Sequence, residues 1–122
     1  MLKTQLLLAD IYKIYYLVVN GNHLVKDFID LLPEKDQKKI SSLLRLAAKR
    51  GSLKNPEKSK KLHSDKQINI YEFKSKPYRI LYTFFGEKTI ILSHGFSKGA
   101  KIKNEIKRAQ GFFNQLFEEK KK

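Results

Sequence analysis

Three strand-like runs lying close together, Ile68 to Lys74, Tyr78 to Phe85 and Lys88 to Leu92, constrain the fold of this chain more than any other feature. Only Ser75-Lys76-Pro77 and Gly86-Glu87 separate them, which is hairpin spacing, so the runs are expected to pair as antiparallel neighbours. In the middle run Ile80, Tyr82 and Phe84 alternate with Arg79, Leu81 and Thr83. That strand therefore has two distinct faces, and Arg79 shares one with Leu81 and Thr83. Gly99 breaks the pattern. Beyond it Ile102, Ile106, Ala109, Phe113, Leu116 and Phe117 recur at helical spacing. Gly111 sits inside that helix and weakens it by about 1 kcal/mol relative to alanine unless packing requires it.

Upstream, residues 10–19 (DIYKIYYLVV) are rich in β-branched and aromatic types and read as a strand ended by the turn signal Asn20-Gly21-Asn22. From His23 the spacing becomes helical, with Leu24, Phe28, Leu31 and Leu32 on one face. Pro33 suits the first turn of a second helix, whose apolar stripe is Ile40, Leu43, Leu44 and Ala47 and whose C-cap is Gly51. Residues 52–66 have no periodicity and five lysines, and are expected to form a basic loop. The predicted order is β-α-α-β-β-β-α: one α+β domain over 1–122, with a mainly antiparallel sheet and the helices on one side.

Charge narrows the function. The 26 Lys and Arg residues against 12 Asp and Glu leave a formal +14, which points to a polyanionic partner, nucleic acid first. The absence of cysteine excludes disulfides and thiolate metal sites. Histidines 23, 63 and 94 lack metal-ligand spacing, so neither a metal nor a small-molecule cofactor is expected. The runs Leu6 to Leu8 and Ile14 to Val19 are far shorter than the ~20 apolar residues of a membrane span, and no small-x-small cleavage site follows the first. A cytoplasmic protein is the expectation.

Four short segments in order carry a resemblance: Tyr71-Glu72-Phe73-Lys74, Arg79-Ile80-Leu81-Tyr82, His94-Gly95-Phe96-Ser97-Lys98 and Glu105-Ile106-Lys107-Arg108-Ala109. Together with the element order, they resemble the RelE/ParE toxin superfamily, and in particular its phage-derived HigB-like branch. The resemblance implies a RelE-like fold and the toxin half of a type II toxin–antitoxin pair. Such toxins commonly cleave mRNA in the ribosomal A site. It also implies three partners: the ribosome, mRNA, and a small antitoxin, often helix-turn-helix and DNA-binding.

RNA cleavage without a metal needs a group to take the 2′-hydroxyl proton, positive charge for the phosphorane-like intermediate, and an acid for the 5′-oxygen. Histidine suits the proton transfers because its ordinary pKa is about 6.5. Arginine offers phosphate a bidentate fork. In this family the active site combines Arg and Lys with a His or Tyr on the concave face of the sheet. Arg79 matches the family's strand arginine and is the candidate phosphate clamp, with a salt bridge to Glu72 as its alternative use. His63 in the basic loop and His94 at a strand end are the candidate acid–base groups. A solvated loop histidine and a turn hydrogen bond are the respective alternatives. Lys61, Lys66, Lys98 and Lys101 are candidate RNA contacts or ordinary surface lysines. Tyr71, Tyr78 and Tyr82 could stack on a base, although Tyr82 falls on the Ile80/Phe84 face and is expected in the core. No tyrosine follows Tyr82, so the C-terminal tyrosine of the RelE arrangement is missing and a general base must be His, Lys or Glu. Two other functions fit the same resemblance and charge: a ParE-like toxin acting on a protein such as DNA gyrase, and a non-catalytic RNA- or ribosome-binding protein.

Overall fold

The computed structural model describes residues 2–51, 58–64 and 68–121. The chain runs β1 (Leu2–Ala9), β2 (Lys13–Val19), β3 (Asn22–His23), α1 (Leu24–Asp30), α2 (Glu34–Arg50), β4 (Ser59–Ser64), β5 (Asn69–Ser75), β6 (Tyr78–Phe84), β7 (Thr89–Ser97) and α3 (Ile102–Lys121). The sheet order is β1-β2-β7-β6-β5-β4, with β3 paired to β2. All pairings are antiparallel except β2 with β7, which lie parallel from Lys13↔Thr89 to Tyr16↔Leu92. The result is the expected α+β class with a mostly antiparallel sheet.

The expected meander forms as β5–β6–β7, with Tyr71↔Tyr82 and Ser75↔Tyr78 fixing the first hairpin. Strand alternation sends the two faces of this meander to different partners. Ile14, Tyr16, Phe73, Ile80, Tyr82, Ile90 and Leu92 pack with Val25 of α1 and with Ile40, Leu43, Leu44 and Ala47 of α2. Leu17, Ile70, Leu81 and Ile91 pack on the opposite face with Ala109, Phe113 and Leu116 of α3. Helices therefore cover both faces, which corrects the expectation of a one-sided arrangement. The apolar residues on the second face of β2, β6 and β7 can be buried only if α3 lies over them.

Three strands appear where the sequence pattern predicted none, the shortest being β3, which pairs Asn22 and His23 with Val19 and Val18 of β2. β1 pairs along β2 from Leu2↔Val19 to Ala9↔Lys13, so the Leu6–Leu8 run is strand. Asp10, Ile11 and Tyr12 form the loop of that hairpin rather than the start of a strand. β4 lies in the predicted basic loop and pairs with β5 from Ser59↔Phe73 to Ser64↔Asn69. It is an edge strand, where lysines can face water while the backbone bonds its neighbour. Leu31 lies beyond the end of α1 and is 87% exposed, not on the buried face assigned to it. At the end of α2, Gly51 takes a positive φ of 73° and donates its N–H to the Ala47 carbonyl at 2.6 Å. The Tyr12 ring stands where a Gly51 side chain would be.

Candidate functional site

The β5–β6 hairpin turns at Lys76-Pro77, whose connecting peptide bond is cis. Its register sets Lys74 opposite Arg79 and Glu72 opposite Leu81, all on the face that α3 partly covers. Glu72 is 1% exposed. Its carboxylate accepts a hydrogen bond from Arg79 Nη1 at 3.3 Å on one oxygen and faces Lys74 Nζ at 3.7 Å on the other. The salt bridge weighed as an alternative for Arg79 is therefore made. It does not exhaust the guanidinium, which has five N–H donors. Lys98 lies beside the same hairpin, its N–H donating to the Pro77 carbonyl at 2.7 Å as β7 ends. Lys74, Lys76, Pro77, Tyr78, Arg79 and Lys98 line a surface depression of about 270 Å³. Four cations thus meet at one end of the sheet, with one buried carboxylate beneath two of them.

His94 is in the middle of β7 and is buried, although its sequence position suggested a strand end. A bulge places both Ser93 and His94 between the pairs Tyr82↔Leu92 and Ile80↔Gly95. The bulge breaks the alternation and turns His94 towards α3. Its Nδ1 meets Ser93 Oγ at 2.8 Å, and its Nε2 meets Glu105 Oε2 at 3.3 Å. Burial lowers the pKa of the imidazole, the Arg108 charge lowers it further, and Glu105 opposes both; it settles at about 4. At neutral pH the ring is uncharged and ties the first turn of α3 to the sheet. Gly95 faces the other way, against the Phe28 ring of α1, where any side chain would collide.

The remaining candidates are spread out. Backbone pairing places His63 opposite Ile70 and Lys61 opposite Tyr71 on edge strand β4, with Lys61 exposed. Lys66 lies outside the described residues. Lys101 is exposed, and its carbonyl accepts the N–H groups of Asn104 and Glu105 at the start of α3. Tyr82 is in the core, as its face suggested. Its hydroxyl is 2.6 Å from Ser59 Oγ, and burial pushes its pKa up to about 12 despite that bond. Burial and the neighbouring Asp36 raise Tyr78 as well. Neither phenol is suited to act as a base at neutral pH. Among the described residues no three His, Cys, Asp or Glu side chains converge as a metal site would require.

The structure therefore brings Arg79 and Lys98 together and adds Lys74 and Lys76, which sequence reading did not single out. The sequence reading leaves Ser75 in the turn; the structure pairs it with Tyr78, and the resulting two-residue turn at Lys76-Pro77 sets Lys74 opposite Arg79. Residues 27–111 match the family described as phage derived protein Gp49-like. The chain belongs to the phage-derived Gp49-like family. This agrees with the HigB-like resemblance carried by residues 71–109. The fold of this Gp49-like protein matches that of RelE in the crystal structure of the archaeal RelE–RelB complex from Pyrococcus horikoshii OT3. The TM-score is 0.60 over 75% of this chain and 100% of that one, at 14% identity. So low an identity carries the fold alone. A comparison with the curated proteins gave no match. No helix among the described residues is long and apolar enough to cross a membrane.

Proposed function

We propose that this Gp49-like protein is the toxin of a type II toxin–antitoxin pair and cleaves mRNA on the ribosome in a metal-independent reaction. Family membership and the RelE-like fold support the toxin class. The observation that carries the chemistry is the depression in which Arg79, Lys74, Lys76 and Lys98 converge. In this reading Glu72 holds one arm of the Arg79 guanidinium, and the remaining donors meet a scissile phosphate. Charge that builds on the phosphate oxygens during 2′-hydroxyl attack is stabilised there by donors already in place. His63 pairs opposite Ile70, four residues or ~13 Å along β5 from Lys74, too far to exchange a proton at the phosphate held by Arg79, so it is proposed with Lys61, Lys66 and Lys101 only as a contact to the flanking RNA. His94 keeps α3 docked from the interior.

Inducible expression without a partner tests the reading. Growth should stop, and mRNA should be cut only when translated. Arg79→Ala should slow cleavage by about 100- to 1,000-fold and relieve the arrest, as loss of a positioned transition-state donor does. Arg79→Lys should recover only part of it, because an ammonium cannot form the fork. Unimpeded growth at high wild-type expression, or full cleavage by Arg79→Ala, would sink the proposal. Intact mRNA with a DNA-damage response would favour the ParE-like alternative. Salt-sensitive RNA binding without cleavage or toxicity would favour a binding protein.

A further inference from the structure

At the edge of the sheet away from the β5–β6 hairpin, β1 meets α1 and α2 around a cavity of about 410 Å³. Its floor is aliphatic: Leu7 and Leu8 of β1, Ile29 of α1 and Leu44 of α2. A bulge supplies two of these. Leu6 pairs with Tyr15 and Leu8 with Ile14, so Leu7 is the extra residue between them. In a regular strand Leu7 and Leu8 would point to opposite faces; here both pack on the side of α1 and α2. Lys26, Asp30 and Arg45 are exposed on the rim. Lys26, Ile29 and Asp30 share one stripe of α1, and Ser41, Leu44 and Arg45 share one of α2. Among the described residues neither Lys26 nor Arg45 is paired with a carboxylate. Gln37 also lines the cavity, and its amide donates to the carbonyls of Asp30 and Leu32 at 3.2 and 2.9 Å, which ties α2 to the turn that follows α1.

We infer that this cavity is a binding site for a small aliphatic carboxylate of the medium-chain fatty acid kind. Its volume falls within the roughly 300–1,000 Å³ of small-molecule sites, and its lining has their character, apolar walls with a few polar groups at the mouth. Lys26 and Arg45 against Asp30 leave the rim one net positive charge, which suits a monoanion. The Arg45 guanidinium offers a carboxylate its planar fork, and Lys26 adds a point charge from the other helix. No aromatic side chain lines the cavity, so a nucleobase finds nothing to stack on, and a phosphate chain leaves the leucines unused. A planar membrane surface would meet the rim and not the floor, where Leu44 is buried. A ligand seated here touches β1, α1 and α2 together, and its binding stabilises the folded chain. Nothing in this site depends on the toxin reading above.

Titration calorimetry of the full chain with monomeric decanoate tests the site, with decylamine, hexanoate and phosphatidylglycerol vesicles as the other probes. Decanoate should bind about tenfold more tightly than decylamine, because only the carboxylate matches Arg45 and Lys26. It should bind about tenfold or more above hexanoate as well, since the longer chain takes more methylene groups out of water. Leu7→Ser should reduce that preference for chain length. Arg45→Glu, on an exposed position, should weaken decanoate about tenfold even if Leu7→Ser disturbs folding. Lys103→Glu makes the same charge change on an exposed position of α3, outside the cavity, and should leave decanoate binding unchanged. Saturating decanoate should raise the Tm of the wild type and not that of Arg45→Glu. Equal affinity for decanoate and decylamine, or equal losses from Arg45→Glu and Lys103→Glu, would overturn the inference. Attachment to the vesicles without binding of free decanoate would also overturn it, and assign the rim to a membrane surface.

Discussion

Glu72 is almost fully buried, yet Arg79 and Lys74 both reach it from a solvent-facing depression. A buried carboxylate is costly unless it is paired, and its pairing holds two cations near one spot despite their mutual repulsion. The other side of α3's contact with the sheet rests on His94. Its pKa of about 4 in the fold lies below the roughly 6.5 of an unfolded chain, so the folded state binds the proton less readily. Above pH ~6.5 both states hold a neutral ring, and this contribution to stability is complete. As the pH falls from there through about 4, the unfolded chain takes up the proton first and stability is lost, by up to ~3 kcal/mol. Denaturant midpoints measured between pH 7.5 and 4 should fall more steeply for the wild type than for His94→Gln. Parallel slopes would show that the ring is not held neutral.

At the level of elements, what decides each strand is the neighbour it pairs with. β1 carries an unbroken Leu6–Leu8 run without alternation, and β4 carries adjacent lysines; both are edges whose strand character comes from backbone pairing to β2 and β5. The helices are more local. α2 has its stripe of Ile40, Leu43, Leu44 and Ala47 and ends at Gly51, as the spacing predicted. α3 presents Ala109, Phe113 and Leu116 to the sheet, while Gly111 is exposed with open space around its α-carbon. Packing therefore gives no reason for a glycine there. Gly111→Ala should raise stability by about 0.5–1 kcal/mol, through helix propensity and reduced freedom of the unfolded chain. Calorimetry should show a higher Tm with unchanged RNA binding. A lower Tm would mean that the helix needs the glycine.

For the whole molecule the formal charge of +14 is the dominant property, and the fold gives it direction. Arg79, Lys74, Lys76 and Lys98 are gathered at one end of the sheet, a distribution suited to neutralising a run of phosphates. If all four touch single-stranded RNA, log K should fall with log salt at a slope of about −3. Arg79→Ala should make that slope shallower by about 0.7. Titrations at several salt concentrations measure both. An unchanged slope would place Arg79 off the RNA path.

The hairpin spacing of residues 68–92, the two-faced β6 and the stripes of α2 and α3 were all legible without a structure, because each depends on neighbours within a few positions. From them followed the α+β class and the face on which Arg79 stands. The edge strands, the parallel contact of β2 with β7, and α3 on the face opposite α1 and α2 were not legible, since each depends on segments far apart in sequence. The site divides the same way. Arg79 as a strand arginine could be read from its own run, whereas the register placing Lys74 opposite it could not, because the sequence leaves Ser75 in the turn and the structure pairs it with Tyr78. Only the tertiary structure buried His94, because a bulge turned it beneath α3 and Glu105 came from eleven residues further on to meet it. Local spacing determines which way a side chain points; long-range packing determines what it meets there.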